Sequence, residues 1–162
     1  MTFNDYLSTV ESRFAEKNEV SIGRFKAMQF YDEVFKVKWV ATKLKIFSFV
    51  AFQSELRKQD MIDYTNLCLE KALNEYKGLP RGMQNGVASF SVMAAENIDA
   101  ETIAFAMSRP KKHFAAFEMP VIFDLTANKL FYYEKTPIWG SIYYKHFREH
   151  IEKCFNSNML SH

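Results

Sequence analysis

The chain has 162 residues, 48% of them hydrophobic and 25% charged, with 21 Lys plus Arg against 19 Asp plus Glu and a formal charge of +2. Such a balance excludes a disordered chain, a collagen-like repeat and a disulfide scaffold, and it gives no general argument for nucleic acid. Aromatics are abundant, with 16 Phe and 8 Tyr, while Gly numbers only 5 and Pro 4, as suits one domain with a sizeable core.

Thr2 and Asp5 have the spacing of a capping box, and Phe3, Leu7, Val10 and Phe14 follow at helical intervals, so a first helix is predicted over 2–17. Residues 20–31 alternate weakly and lean toward strand. From Phe35 the period is two, through Val37, Trp39 and Ala41, which predicts a half-buried strand. Ile46–Phe52 is apolar on both faces, as a central strand would be. It is also the longest apolar stretch, far short of the ~20 residues of a membrane-spanning helix.

Helical spacing returns over 60–77, with Ile62, Leu69, Leu73 and Tyr76 on one stripe, Asp60 as the expected N-cap and Gly78 as the stop. A loop over 79–86 leads to a strand at Val87–Ala95. Asp99 caps a short helix that ends before Pro110. Pro120 is expected to open a strand, Val121–Leu125, and a turn at 126–128 pairs it with Lys129–Glu134. A final helix is predicted over Ile138–Phe155, with Tyr143, Phe147, Ile151 and Cys154 inward. The fold class expected is therefore α/β. It is a single domain over 1–162 with its core at about 35–155, a mixed central sheet with helices on both faces, and a C-terminal hairpin plus helix.

Three features resemble the thioredoxin family: the strand Ile46–Phe52 before a long helix, Asn97-Ile98-Asp99 at a strand-to-helix junction, and Met119-Pro120 opening the strand before the hairpin. The resemblance implies a sheet of that order and makes Pro120 a structural residue lining a groove. It would also imply dithiol chemistry at the start of the helix after the central strand, but Gln53–Asp60 holds no cysteine. Cys68 and Cys154 fall in helical patterns as buried, reduced thiols, so a redox-inactive cytoplasmic domain is expected.

Four constellations could carry chemistry. His146, Glu149 and His150 match His-x-x-Glu-His, in which two imidazoles four residues apart share a helix face and bind zinc while the glutamate acts as base. Cys154 lies eight residues beyond His146, about 12 Å along the helix, too far to share that ion. The order of an opening helix, three strands, a helix and a strand resembles restriction-like nucleases, with Asp32 or Glu33 as the first acid. Lys43-Leu44-Lys45 then occupies the second motif and keeps a lysine without its acid. Two basic groups, Lys36/Lys38/Lys43/Lys45 and Arg109/Lys111/Lys112/His113, read as solvent faces rather than a nucleic-acid surface. Finally Phe131, Tyr132, Tyr133, Trp139, Tyr143 and Tyr144 crowd together, mostly as core, with Tyr132, Tyr133, Trp139 and Tyr144 as candidates beside Pro120 for contact with a protein partner, a small ligand or a second copy. No phosphate-cradling glycine loop, Gly-x-Ser-x-Gly elbow or zinc knuckle occurs, so no cofactor and no membrane contact is expected; the hydrolase reading of His146, Glu149 and His150 is the alternative to binding.

Overall fold

A computed structural model describes residues 1–36, 42–77, 81, 85–138 and 140–158. Trp39, Gly78 and Trp139, the expected strand beyond residue 36 and most of the 79–86 loop lie outside the described residues.

Helix α1 spans Phe3–Glu11 under the expected capping box: Thr2 Oγ1 accepts the Asp5 N–H at 3.2 Å, and the Asp5 carboxylate accepts the Thr2 N–H at 3.3 Å. It stops six residues short of the predicted end. The reason is distant in sequence: Arg13 donates to the carbonyls of Cys154 at 3.1 Å and Asn156 at 2.7 Å, so the chain is held at the end of the last helix instead of continuing its own. Those carbonyls belong to a helix C-terminus that has no internal donors left.

The ambiguous stretch is a hairpin. Strands β1 (Lys17–Ile22) and β2 (Phe25–Lys36) pair antiparallel, Ile22 opposite Phe25. Gly23 has a φ of +57°, as the first residue of a II′ turn requires. Strand β3 (Thr42–Leu56) pairs antiparallel with β2 and is the long central strand that the apolar run foretells. Helix α2 (Lys58–Glu75) starts earlier than expected, with Arg57 at the N-cap and Asp60 one turn in. The Asp60 carboxylate accepts the Arg57 N–H at 3.2 Å. Strand β4 (Asn85–Ile98) returns parallel to β3, and α3 (Ala100–Met107) is capped by Asp99, which accepts the Thr102 N–H at 2.8 Å.

Strand β5 is only Lys112–His113, and β6 runs from Ala116 to Asp124, parallel to β4. Pro120 therefore sits inside the strand, not at its start. The ladder permits it: among the described residues β5 pairs with β6 only at Ala116 and Phe117, and β7 (Lys129–Phe131) only from Ile122 onward, so residues 118–121 have β4 on one side and no described strand on the other. Strand β7 ends three residues before the prediction, because Tyr132 and Tyr133 turn onto the last helix, α4 (Ser141–Phe155). Gly140 precedes α4 in a left-handed conformation, φ +72°, which starts the helix after the exposed Ile138 instead of on it.

The sheet order is β1-β2-β3-β4-β6-β5, with β7 on β6. Among the described residues the fold is thus a single mixed seven-stranded sheet between two helical layers. Alternate residues of β3 and β4, from Leu44 to Val50 and from Ala88 to Ala94, join α1 and α4 in one core. The opposite set, including Phe47, Phe49, Met93 and Ala95, packs on α2 and the end of α3. Tyr6 shows the density of the first layer: its ring stacks on Phe123 at 3.9 Å and its hydroxyl donates to the Phe155 carbonyl at 3.0 Å. Burying an aromatic of this size contributes ~2–3 kcal/mol. No described helix is long and apolar enough to cross a membrane.

Candidate functional site

The zinc-like motif does not assemble. His150 is 7% exposed, 4.7 Å from the Phe90 ring and 5.7 Å from Phe155, with Ser48 Oγ at 3.5 Å and Cys154 Sγ at 3.7 Å. Burial, assisted by the charges of His146 and Lys153, pushes its pKa down to about 3, so the ring is neutral. Glu149 faces outward, 4.0 Å from Lys145. Among the described residues no three His, Cys, Asp or Glu side chains converge on a metal position. Both histidines lie on α4, but helical spacing carries no information on which residue the core takes.

The nuclease-like residues gather less than a metal site. Glu33 pairs with Lys43 at 2.9 Å and accepts the Tyr31 hydroxyl at 2.9 Å, while Lys45 stands across the ladder from Glu33, over the Tyr76 ring. Lys43 holds the Glu33 carboxyl below its ordinary pKa. The carboxylate is thus neutralised by lysine, and Asp32 points to the other face of β2. At the C-terminal ends of the parallel strands, Arg24 bonds Asp60 and Asp63 at 2.7 and 3.1 Å and Arg57 reaches Asp99 at 3.3 Å. That network satisfies itself.

Of the aromatic candidates, Tyr132, Tyr133 and Tyr144 are all buried. Tyr132 donates its hydroxyl to Glu152 of α4, and Tyr133 meets the Tyr144 ring edge-on at 5.9 Å. The contact with the terminal helix is the one that the hairpin reading allowed.

Pro120 leads to a different place. In the gap of β6 between β5 and β7 it lines a cavity of about 100 Å³ together with Glu118. The cavity is roofed by Ile62 and Asn66 of α2, by Phe105 of α3, and by the strap Ser108-Arg109-Pro110-Lys111. The strap is set by the helix end: Ser108 closes α3 by donating its N–H and its hydroxyl to the Phe105 carbonyl at 3.1 and 2.6 Å, and the chain then turns through the buried Pro110 into β5. Because His113 is in register with Ala116, Glu118 is its diagonal neighbour on β6, a separation that two long side chains span. His113 Nε2 and Glu118 Oε1 are 3.0 Å apart.

Glu118 is 4% exposed, whereas the His113 side chain is 31% exposed. A carboxylate buried that deeply costs several kcal/mol unless it is paired and hydrogen-bonded. Among the described residues its second oxygen takes no hydrogen bond. Directly opposite in the β4–β6 register stands Ser89, 1% exposed, whose hydroxyl also has no partner among the described groups. One step further along, Ser91 faces Pro120 and shares a 3.0 Å hydrogen bond with Thr65. Glu118, Ser89 and Ser91 are thus buried close together in a sheet whose buried positions are mostly apolar. The cavity wall adds two cations, Arg109 and Lys111, neither of which forms an ion pair among the described residues. The arrangement can hold a hydrogen-bond donor at Glu118 and an anion at the strap.

A larger groove of about 520 Å³ between α1 and the β1–β2 hairpin is lined mainly by Phe3, Leu7, Val20, Met28 and Val50, with exposed Glu19 and Lys26. It gathers no titratable cluster. Sequence reasoning misses Glu118 because Pro120 reads as the first residue of its strand. The signal was present: a single acid in the otherwise apolar run Phe117–Phe123, next to a basic segment already noted. No family model matches this chain, and no curated protein and no solved structure matches it either.

Proposed function

We propose that the chain is a ligand-binding domain that works without dithiol chemistry, through the Glu118–His113 cavity at the outer edge of β6. The observation that carries the reading is a carboxylate only 4% exposed that lines a cavity, with one oxygen on an imidazole and, among the described residues, no hydrogen bond to the other. Structural carboxylates at such depth are ordinarily satisfied on both oxygens. Both cysteines are free and buried, and burial raises both thiol pKa values, Cys154 to about 11, which supports the absence of thiolate chemistry and suits a reducing compartment such as the cytoplasm. The Met119–Pro120 bond is trans.

The test is a side-chain NMR titration that follows the His113 ring and the Glu118 carboxyl carbon while small carboxylates, phosphates, amines and amino acids are added in turn. At least one class should move both signals, and Glu118→Gln, shown folded by its thermal transition, should lose the His113 response. If no class moves either signal, or if Glu118→Gln responds like the wild type, the proposal is wrong.

A further inference from the structure

The cavity selects among ligand charges, and this selection rests on the binding role proposed above. A small carboxylate or phosphate entering it would find Arg109 and Lys111 favourable but would be driven against the buried Glu118. A simple amine would find Glu118 favourable but must pass the same two cations and lie beside His113. The repulsion is strongest at the buried Glu118, whereas the exposed Arg109 and Lys111 act through solvent. The complement of this arrangement carries both charges: an anionic end at the strap and a cationic donor at Glu118 Oε2, with little between them.

The size of the cavity sets the rest. The cavity measures about 100 Å³. Its apolar wall, Ile62, Phe105, Pro110 and Pro120, suits a methyl or methylene group and no larger chain.

We infer that the ligand is a small zwitterionic amino acid, of the size of glycine or alanine, bound with its carboxylate at Arg109 and its ammonium group at Glu118. Recognition requires both charges at once, and side chains larger than methyl are excluded by the strap.

The experiment is calorimetric titration of the full chain with L-alanine, propionate, ethylamine and L-phenylalanine, with the NMR signals of His113 and Glu118 recorded in parallel. L-alanine should bind at least about tenfold more tightly than either single-charge analogue, a difference of ~1.4 kcal/mol. L-phenylalanine should not bind. Arg109→Ala, at an exposed position where the fold is not at risk, should weaken L-alanine by about the same factor and leave ethylamine unchanged or tighter. If propionate or ethylamine binds as well as L-alanine and still moves the two signals, the binding role stands and the zwitterion assignment is overturned. If none of the four moves the signals, the assignment is again overturned, and the broader panel above decides the binding role separately.

Discussion

The neutral, buried His150 makes stability depend on pH in a range where few other groups titrate. In the unfolded chain an imidazole has its ordinary value near 6.5, whereas burial among Phe14, Phe90 and Phe155 pushes the folded value to about 3. Between those values the unfolded state binds a proton that the folded state refuses, so stability falls as pH falls through 6.5 and stops falling only near 3. At pH 5 the loss relative to pH 8 is about 2 kcal/mol for this one site, from 1.36 kcal/mol per pH unit over about 1.5 units. The carboxyls held below their ordinary values, such as Asp5, Glu33, Asp63 and Asp99, lose their contribution only at lower pH. The assay is urea unfolding at a series of pH values from 8 to 5, on the wild type and on His150→Leu. The wild type should lose about 2 kcal/mol, or ~4–8 °C in Tm, across this interval. His150→Leu should be nearly flat, whatever its absolute stability. Equal slopes in the two proteins, or a flat wild-type profile, would refute the argument that the core holds this ring uncharged.

Two further outcomes follow from the packing. In the native protein neither Cys68 nor Cys154 should react with Ellman's reagent on the timescale of mixing, and both should react once guanidinium unfolds the chain; a fast native reaction would mean that a thiol is accessible after all. Gly23→Ala should lower stability by ~1–2 kcal/mol, because its φ of +57° is strained for any residue with a Cβ. The added atom would also lie 2.7 Å from Leu67 Cδ1, so Leu67→Ala in the same chain should remove the steric part and leave the backbone part; full recovery in the double variant would exclude backbone strain.

What the sequence determined by itself is local. The Thr2–Asp5 box and the Asp99 cap are contacts over three residues, and both form as read. The burial of Ile46–Ala51 on two faces is written in consecutive side chains, and it marks β3 as central before any neighbour is known; Phe52, the last of the apolar run, is exposed. The α/β class follows from such elements taken in order. The helical stripes were less exact: of Ile62, Leu69, Leu73 and Tyr76 only Leu69 is buried, because the sheet takes the neighbouring face of α2, with Met61, Tyr64, Cys68 and Ala72.

Tertiary structure decided the features that join distant residues. Helix α1 stops where Arg13 finds α4, 141 residues away. Tyr132 and Tyr133 leave their strand because α4 offers Glu152 and Tyr144 to meet them. His150 and Glu149 are neighbours in sequence, yet one is core and the other solvent, a choice made by the sheet beneath α4. The cavity needs more still. Glu118 is brought to His113 by a two-residue strand, to Ser89 by a parallel ladder, and to Arg109 by the end of α3. Backbone preferences and capping act over a turn or two, so residues alone can report them. Pairing across a sheet depends on which strand becomes whose neighbour, and only the packing of the whole chain fixes that.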